Sequence, residues 1–119
     1  MGKQTLPGGI TQEQLNEWVE KYGKVNENVF RGSVPSLRDP GKKLYFYYRK
    51  PDKNVVALCI SYMMRQEAFK ASDEFRNNCL LFSEAEISGD ELYKDEYHFA
   101  IGKAIGERFE MVQVELEKI

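Results

Sequence analysis

Apolar side chains recur at three- and four-residue steps over residues 95–119. Tyr97, Ile101, Ala104, Ile105, Phe109, Val112, Leu116 and Ile119 fall on one stripe, and Glu96, Lys103, Glu107, Glu110, Glu115 and Glu117 on the opposite face. No proline interrupts the run, so the spacing predicts a long C-terminal helix with one face that needs a cover. A shorter run of the same kind, Leu15, Trp18, Val19 and Tyr22, follows Thr11 and Gln14, which have capping-box spacing, and Gly23 is placed to stop it. Trp18 reads as a core anchor, with an aromatic contact to a partner as the alternative.

Between residues 24 and 50 the period shortens. Residues 25–31 and 43–49 read as two strands separated by a Pro-, Ser- and Gly-rich turn. In the second, Leu44, Phe46 and Tyr48 alternate with Tyr45 and Tyr47. One face can therefore meet the helices while the Tyr face serves as surface or interface. Pro51 ends the strand and Asp52 is placed to cap a helix whose apolar positions (Val55, Val56, Leu58, Cys59, Ile60, Tyr62, Met63) are continuous enough for a central element. A further helical pattern runs through Phe69, Ala71, Phe75, Cys79 and Leu80. Periodicity leaves open whether the two patterns are one helix or two, with Ser72 and Asp73 as candidate caps for a restart. Residues 80–94 read as a loop, and Asp95 as the cap of the last helix. The fold class that follows is α+β: an N-terminal helix, a short antiparallel β-hairpin, then two to three helices ending in the long C-terminal one. Residues 1–10, with three glycines and Pro7, read as a flexible arm, and 11–119 as a single domain.

Charge changes the picture more than composition does. Residues 1–54 hold ten Lys/Arg against six Asp/Glu, and residues 55–119 hold seven against thirteen. Such polarity suits head-to-tail association or docking on an oppositely charged surface, and equally a solvated charge distribution. Lys42, Lys43, Arg49 and Lys50 surround the tyrosines of the second strand, a combination that can hold single-stranded nucleic acid by phosphate contact and base stacking. The same lysines would also protect an edge strand from unwanted pairing. Cys59 and Cys79 sit in apolar context as buried free thiols. No apolar run approaches the length of a membrane span, so a reducing, cytoplasmic setting without a membrane partner is the expectation.

Candidate chemistry is sparse. Six carboxylates (Glu84, Glu86, Asp90, Glu91, Asp95, Glu96) cluster late in the chain, but no register gives the ligand spacing of a calcium loop, and a solvated acidic loop is the plainer reading. His98 is the sole histidine, so a metal site or a Cys79–His98 dyad would start from a poor inventory. Gly102 and Gly106 lie within a helical pattern, away from any strand-to-helix turn that would cradle phosphate. They predict a close helix–helix approach, because each costs about 1 kcal/mol against Ala. No catalytic, metal or cofactor-binding residues are assigned, and a non-enzymatic role follows.

Five stretches in order, Tyr47-Tyr48-Arg49-Lys50-Pro51-Asp52, Asn77-Asn78-Cys79-Leu80, Gly89-Asp90-Glu91, Lys94-Asp95-Glu96-Tyr97 and Val114-Glu115-Leu116-Glu117-Lys118-Ile119, resemble small proteins of tailed phages and prophages of gut Bacteroides-type bacteria. The chain departs from that pattern at Leu80, where those proteins usually carry Trp, and in a longer segment between Cys79 and Gly89. The resemblance implies a tail-assembly-chaperone-like or minor virion protein. Such a protein would act in the bacterial host cytoplasm during assembly or in the virion, through contact with phage structural proteins or with itself. Tyr45, Tyr47, Val112, Leu116 and Ile119 are the candidate partner-binding residues. Lys42, Lys43, Arg49 and Lys50 are those of the alternative, a small nucleic-acid-binding or regulatory protein.

Overall fold

The computed structural model describes residues 5–109 and 115–119. Helix α1 (Gln12–Tyr22) begins where the capping pattern places it, with the Thr11 hydroxyl accepting the Gln14 amide at 3.1 Å. It ends at Gly23, whose φ of 123° lies outside the range that side-chain-bearing residues adopt easily. Strand β1 (Val29–Pro35) starts four residues later than the sequence suggests. Lys24 to Val29 is spent on a hydrogen-bonded turn in which the Asn26 amide donates to the Val29 carbonyl at 2.8 Å. Strand β2 (Lys43–Arg49) has the bounds expected of it and pairs antiparallel with β1, Phe30 opposite Tyr48 and Val34 opposite Leu44.

Helix α2 (Lys53–Met64) is capped by the Asp52 carboxylate, which accepts from the Asn54 and Val55 amides at 3.0 Å. Helix α3 (Ala68–Cys79) is separate from it. The break is a Schellman turn: the Glu67 amide bonds the Tyr62 carbonyl, the Gln66 amide bonds that of Met63, and Gln66 takes the left-handed φ of 60° that glycine usually fills. Ser72 and Asp73 therefore lie inside α3 rather than capping a restart.

Residues 80–94 are not a plain loop. Leu80–Ser83 form strand β3, paired antiparallel with β2, and Ala85–Gly89 form the short helix α4. The sheet order β1-β2-β3 makes β2 the central strand, so the lysines at its start guard no edge. The last helix, α5 (Lys94–Glu107), starts one residue before Asp95, which lies in its first turn without capping it. It also stops well short of the C-terminus: Arg108 closes it, and residues 115–119 have no regular structure. The two helical glycines weaken the run by about 1 kcal/mol each, and packing against α3 compensates this only as far as Gly106.

Leu44, Phe46 and Tyr48 face the helices and join Cys59, Cys79, Ile87, Tyr97, Ile101 and Ile105 in one core. The cover over α5 is α3, and the continuously apolar α2, read from the sequence as a central element, packs on α3 instead. A methyl group at Gly102 would overlap the Ser72 hydroxyl and carbonyl, and one at Gly106 would meet the Phe75 ring at 2.7 Å. The opposite face of the sheet is also occupied. Tyr47, 2% exposed, packs between Trp18 and Phe82 with ring centres 5.5 and 6.2 Å away. Its hydroxyl donates to the Pro7 carbonyl at 2.8 Å. Residues 5–10 form a turn folded onto the sheet, closed by Leu6–Ile10 and Gly9–Leu6 hydrogen bonds.

Candidate docking surface

Helix α2 presents two faces. Val55, Val56 and Cys59 are buried and Tyr62 packs against the core, but with α3 in the place over α5, Leu58, Ile60, Met63 and Met64 are left exposed. Ile60, Met63 and Met64, spaced i, i+3 and i+4, stand 47, 57 and 82% exposed, and Phe69 at the start of α3 stands 70% exposed. Phe69 pairs with Phe99 of α5, ring centres 4.8 Å apart. Phe99 in turn lines, with Met63, Ala68, Phe75 and Gly106, a mainly apolar crevice of about 320 Å³ between α3 and α5. The result is a continuous apolar path from the end of α2, across the Phe69–Phe99 pair, into a groove. Contiguous exposed apolar surface of this kind costs solubility unless something covers it.

The Phe69 and Phe99 rings also line a second, open cleft of about 640 Å³, whose other walls are Asp73, Arg76, Asp95, Glu96 and His98. The Arg76 Nε is buried without a hydrogen-bond partner, and its Nη2 lies 3.7 Å from Asp73. Burial, then the nearby Arg76 charge, hold the His98 pKa below the usual histidine value, so its imidazole is neutral at pH 7. No group of three His, Cys, Asp or Glu side chains converges among the described residues. Cys59 and Cys79 are buried in the core, and desolvation pushes both thiols up to about 11, well away from thiolate chemistry at neutral pH. Cys79 belongs to the core and His98 to the outer cleft.

The other residues singled out in the sequence are dispersed. Tyr47 is core and offers no contact surface, whereas Tyr45 is half-buried with the Arg31 guanidinium 6.0 Å from its ring centre. Lys42 and Lys43 sit at one end of β2, Arg49 and Lys50 at the other. A seven-residue strand separates its ends by about 20 Å, so the four cations form two sites rather than one. Lys42 lies 3.5 Å from Glu86, and Arg49 lies 3.8 Å from Asp52 and 5.6 Å from the Tyr22 ring centre. Leu116 and Ile119 are fully exposed, and Val112 lies outside the described residues.

The acidic cluster is not merely solvated. Glu86 accepts the Ser36 hydroxyl at 2.6 Å and the Tyr97 hydroxyl at 3.4 Å, and Asp90 takes a two-pronged grip from Arg38 at 2.7 and 2.9 Å. Part of the charge polarity along the chain is thereby used inside the fold, joining the β1–β2 loop to α4. The apolar α2 exterior was missed for a local reason: continuous apolarity implies burial unless the neighbouring helix fills the place first.

Comparisons with protein-family models, curated proteins and solved structures match nothing to this chain, so the surface must be read from its own residues.

Proposed function

We propose that this protein is a non-enzymatic contact protein, and that the exterior of α2 with the adjoining α3–α5 groove is where its partner docks. The observation that carries this reading is the run of Ile60, Met63, Met64 and Phe69, all exposed and continuous with an apolar crevice. The partner chemistry it fits is an amphipathic helix with two or three large apolar anchors. Two of the four exposed side chains are methionines, which adapt to differing anchor shapes. The rim is of mixed charge: Arg65 and Lys70 lie 3.9 and 3.3 Å from Glu67, and Lys103 and Glu107 both line the crevice. Phage morphogenesis, as a tail-assembly-chaperone-like or small virion protein, is the setting supported by the sequence resemblance, and there the partner is a phage structural protein.

The test is affinity capture with the full chain from phage-producing cells, followed by mass spectrometry. The reading expects one structural protein enriched by the wild type and lost with the double variant Met64→Lys, Phe69→Lys. Equal recovery with both proteins contradicts it.

A further inference from the structure

The sulfur atoms of this chain are sorted by exposure. Cys59 and Cys79 are buried, and desolvation keeps both as protonated thiols at neutral pH. Met63 and Met64, the two methionines among the described residues, stand exposed on the exterior of α2. A peroxide in solution therefore meets the two thioethers before it meets either cysteine, because susceptibility follows exposure and thiolate character.

The fold does not depend on these two side chains. Met63 contributes its carbonyl to the turn between α2 and α3, where it accepts the Gln66 amide at 3.0 Å, and Met64 ends α2 with its side chain in water. Neither belongs to the core cluster, which draws Val55 and Cys59 from α2 with Tyr62 packed against it. An oxygen added to either sulfur stays hydrated in the free protein. The docked state is different. Met63 lines the crevice between α3 and α5 together with Phe75 and Phe99. A sulfoxide oxygen pressed there against an apolar anchor loses its water without gaining a donor, and such burial is unfavourable. Oxidation thus weighs on docking and spares folding.

We infer that Met63 and Met64 form a site of reversible sulfoxidation by hydrogen peroxide, and that the modification releases the partner from the α2 face. In the step, a lone pair of the thioether sulfur attacks one peroxide oxygen. A sulfur–oxygen bond forms, the oxygen–oxygen bond breaks, and the departing hydroxide takes a proton and leaves as water. The sulfur loses two electrons and the peroxide gains them. Reductases that consume two thiols per sulfoxide return the thioether, a disulfide and water. Release of the partner rests on the proposed docking function, whereas selective oxidation of the pair does not.

The test treats the full chain with hydrogen peroxide and maps the products by peptide mass spectrometry. Met63 and Met64 should each gain one oxygen while Cys59 and Cys79 remain free thiols and the urea midpoint stays at its untreated value. Retention on a phenyl column should fall, and by more than in the Met63→Leu, Met64→Leu variant given the same treatment. In affinity capture from phage-producing cells, oxidation should cut recovery of the structural protein by about fivefold or more. Methionine sulfoxide reductases with dithiothreitol should restore it. The leucine variant, compared with its own untreated sample, should change by less than about twofold, since leucine has no sulfur to oxidise. Oxidation of either cysteine ahead of the methionines, a lowered urea midpoint, or equal retention shifts in both proteins overturns the inference. Undiminished capture by the oxidised chain does so as well. Failure of the docking reading shows separately, as equal recovery by the untreated wild type and the Met64→Lys, Phe69→Lys variant, and the mass and retention results then still decide whether the pair is oxidised selectively.

Discussion

Ser72 occupies the space that a side chain at Gly102 would need, and its hydroxyl donates to the Phe99 carbonyl at 3.1 Å, fixing α3 against α5 through the backbone itself. Replacing Gly102 by Ala adds helix propensity worth about 1 kcal/mol. The added methyl must displace a buried serine and its carbonyl, a kind of overpacking that costs about 1–3 kcal/mol. Gly102→Ala should therefore lower the urea midpoint. Gly89→Ala, where nothing lies within 4 Å, should leave it unchanged or raise it.

Tyr47 fastens the N-terminal turn to the sheet. Tyr47→Phe keeps the ring between Trp18 and Phe82 but removes the bond to Pro7. A single such hydrogen bond is worth about 0.5–1.5 kcal/mol, so the global loss should be small. The effect should concentrate in the turn, with faster hydrogen exchange at the Leu6 and Gly9 amides, whose bonds close it, and unchanged exchange in β2.

The same two sites show what was legible in the sequence. Thr11 and Asp52 act as caps because capping is set by residues two or three positions away, and the alternation of Leu44, Phe46 and Tyr48 fixes a face because a strand has period two. The glycine pair correctly marked a close helix approach. Which helix approached did not follow, because α2 and α3 both carry apolar runs and only three-dimensional competition decides between them. Alternation alone puts Tyr47 on a face that reads as surface or interface, because nothing local reveals that Trp18 and Pro7 return over it. Strand β3 escaped notice because four residues are too short to show a period, and the Schellman turn because Gln66 stands where glycine would have announced it. Among the described candidate partner residues, Leu116 and Ile119 are exposed, Tyr45 is half-buried and Tyr47 is core. The α2 exterior became visible only in the fold.

Asp90 provides a pH-dependent link between α4 and the β1–β2 loop. The Arg38 guanidinium, by hydrogen bonding, holds its carboxyl pKa down at about 2, against an ordinary 3.8. A depressed carboxylate contributes stability that is complete above its unfolded value and disappears as pH falls through the folded one. Asp90→Asn should therefore be less stable than the wild type at pH 7, and the gap should close as pH falls from about 4 to about 2. Thermal unfolding of both proteins across that range measures it.

The central claim is that the exterior of α2 and the start of α3 form a docking face rather than misplaced core. Met64 and Phe69 are mostly exposed, and substitutions at such positions usually alter stability within about 0.5 kcal/mol. The most direct measurement combines urea unfolding of the Met64→Lys, Phe69→Lys variant with its affinity for the captured partner. The account predicts an unfolding midpoint close to the wild type and binding weakened at least tenfold. A variant that binds as tightly as the wild type, or that loses binding only by unfolding, would contradict it.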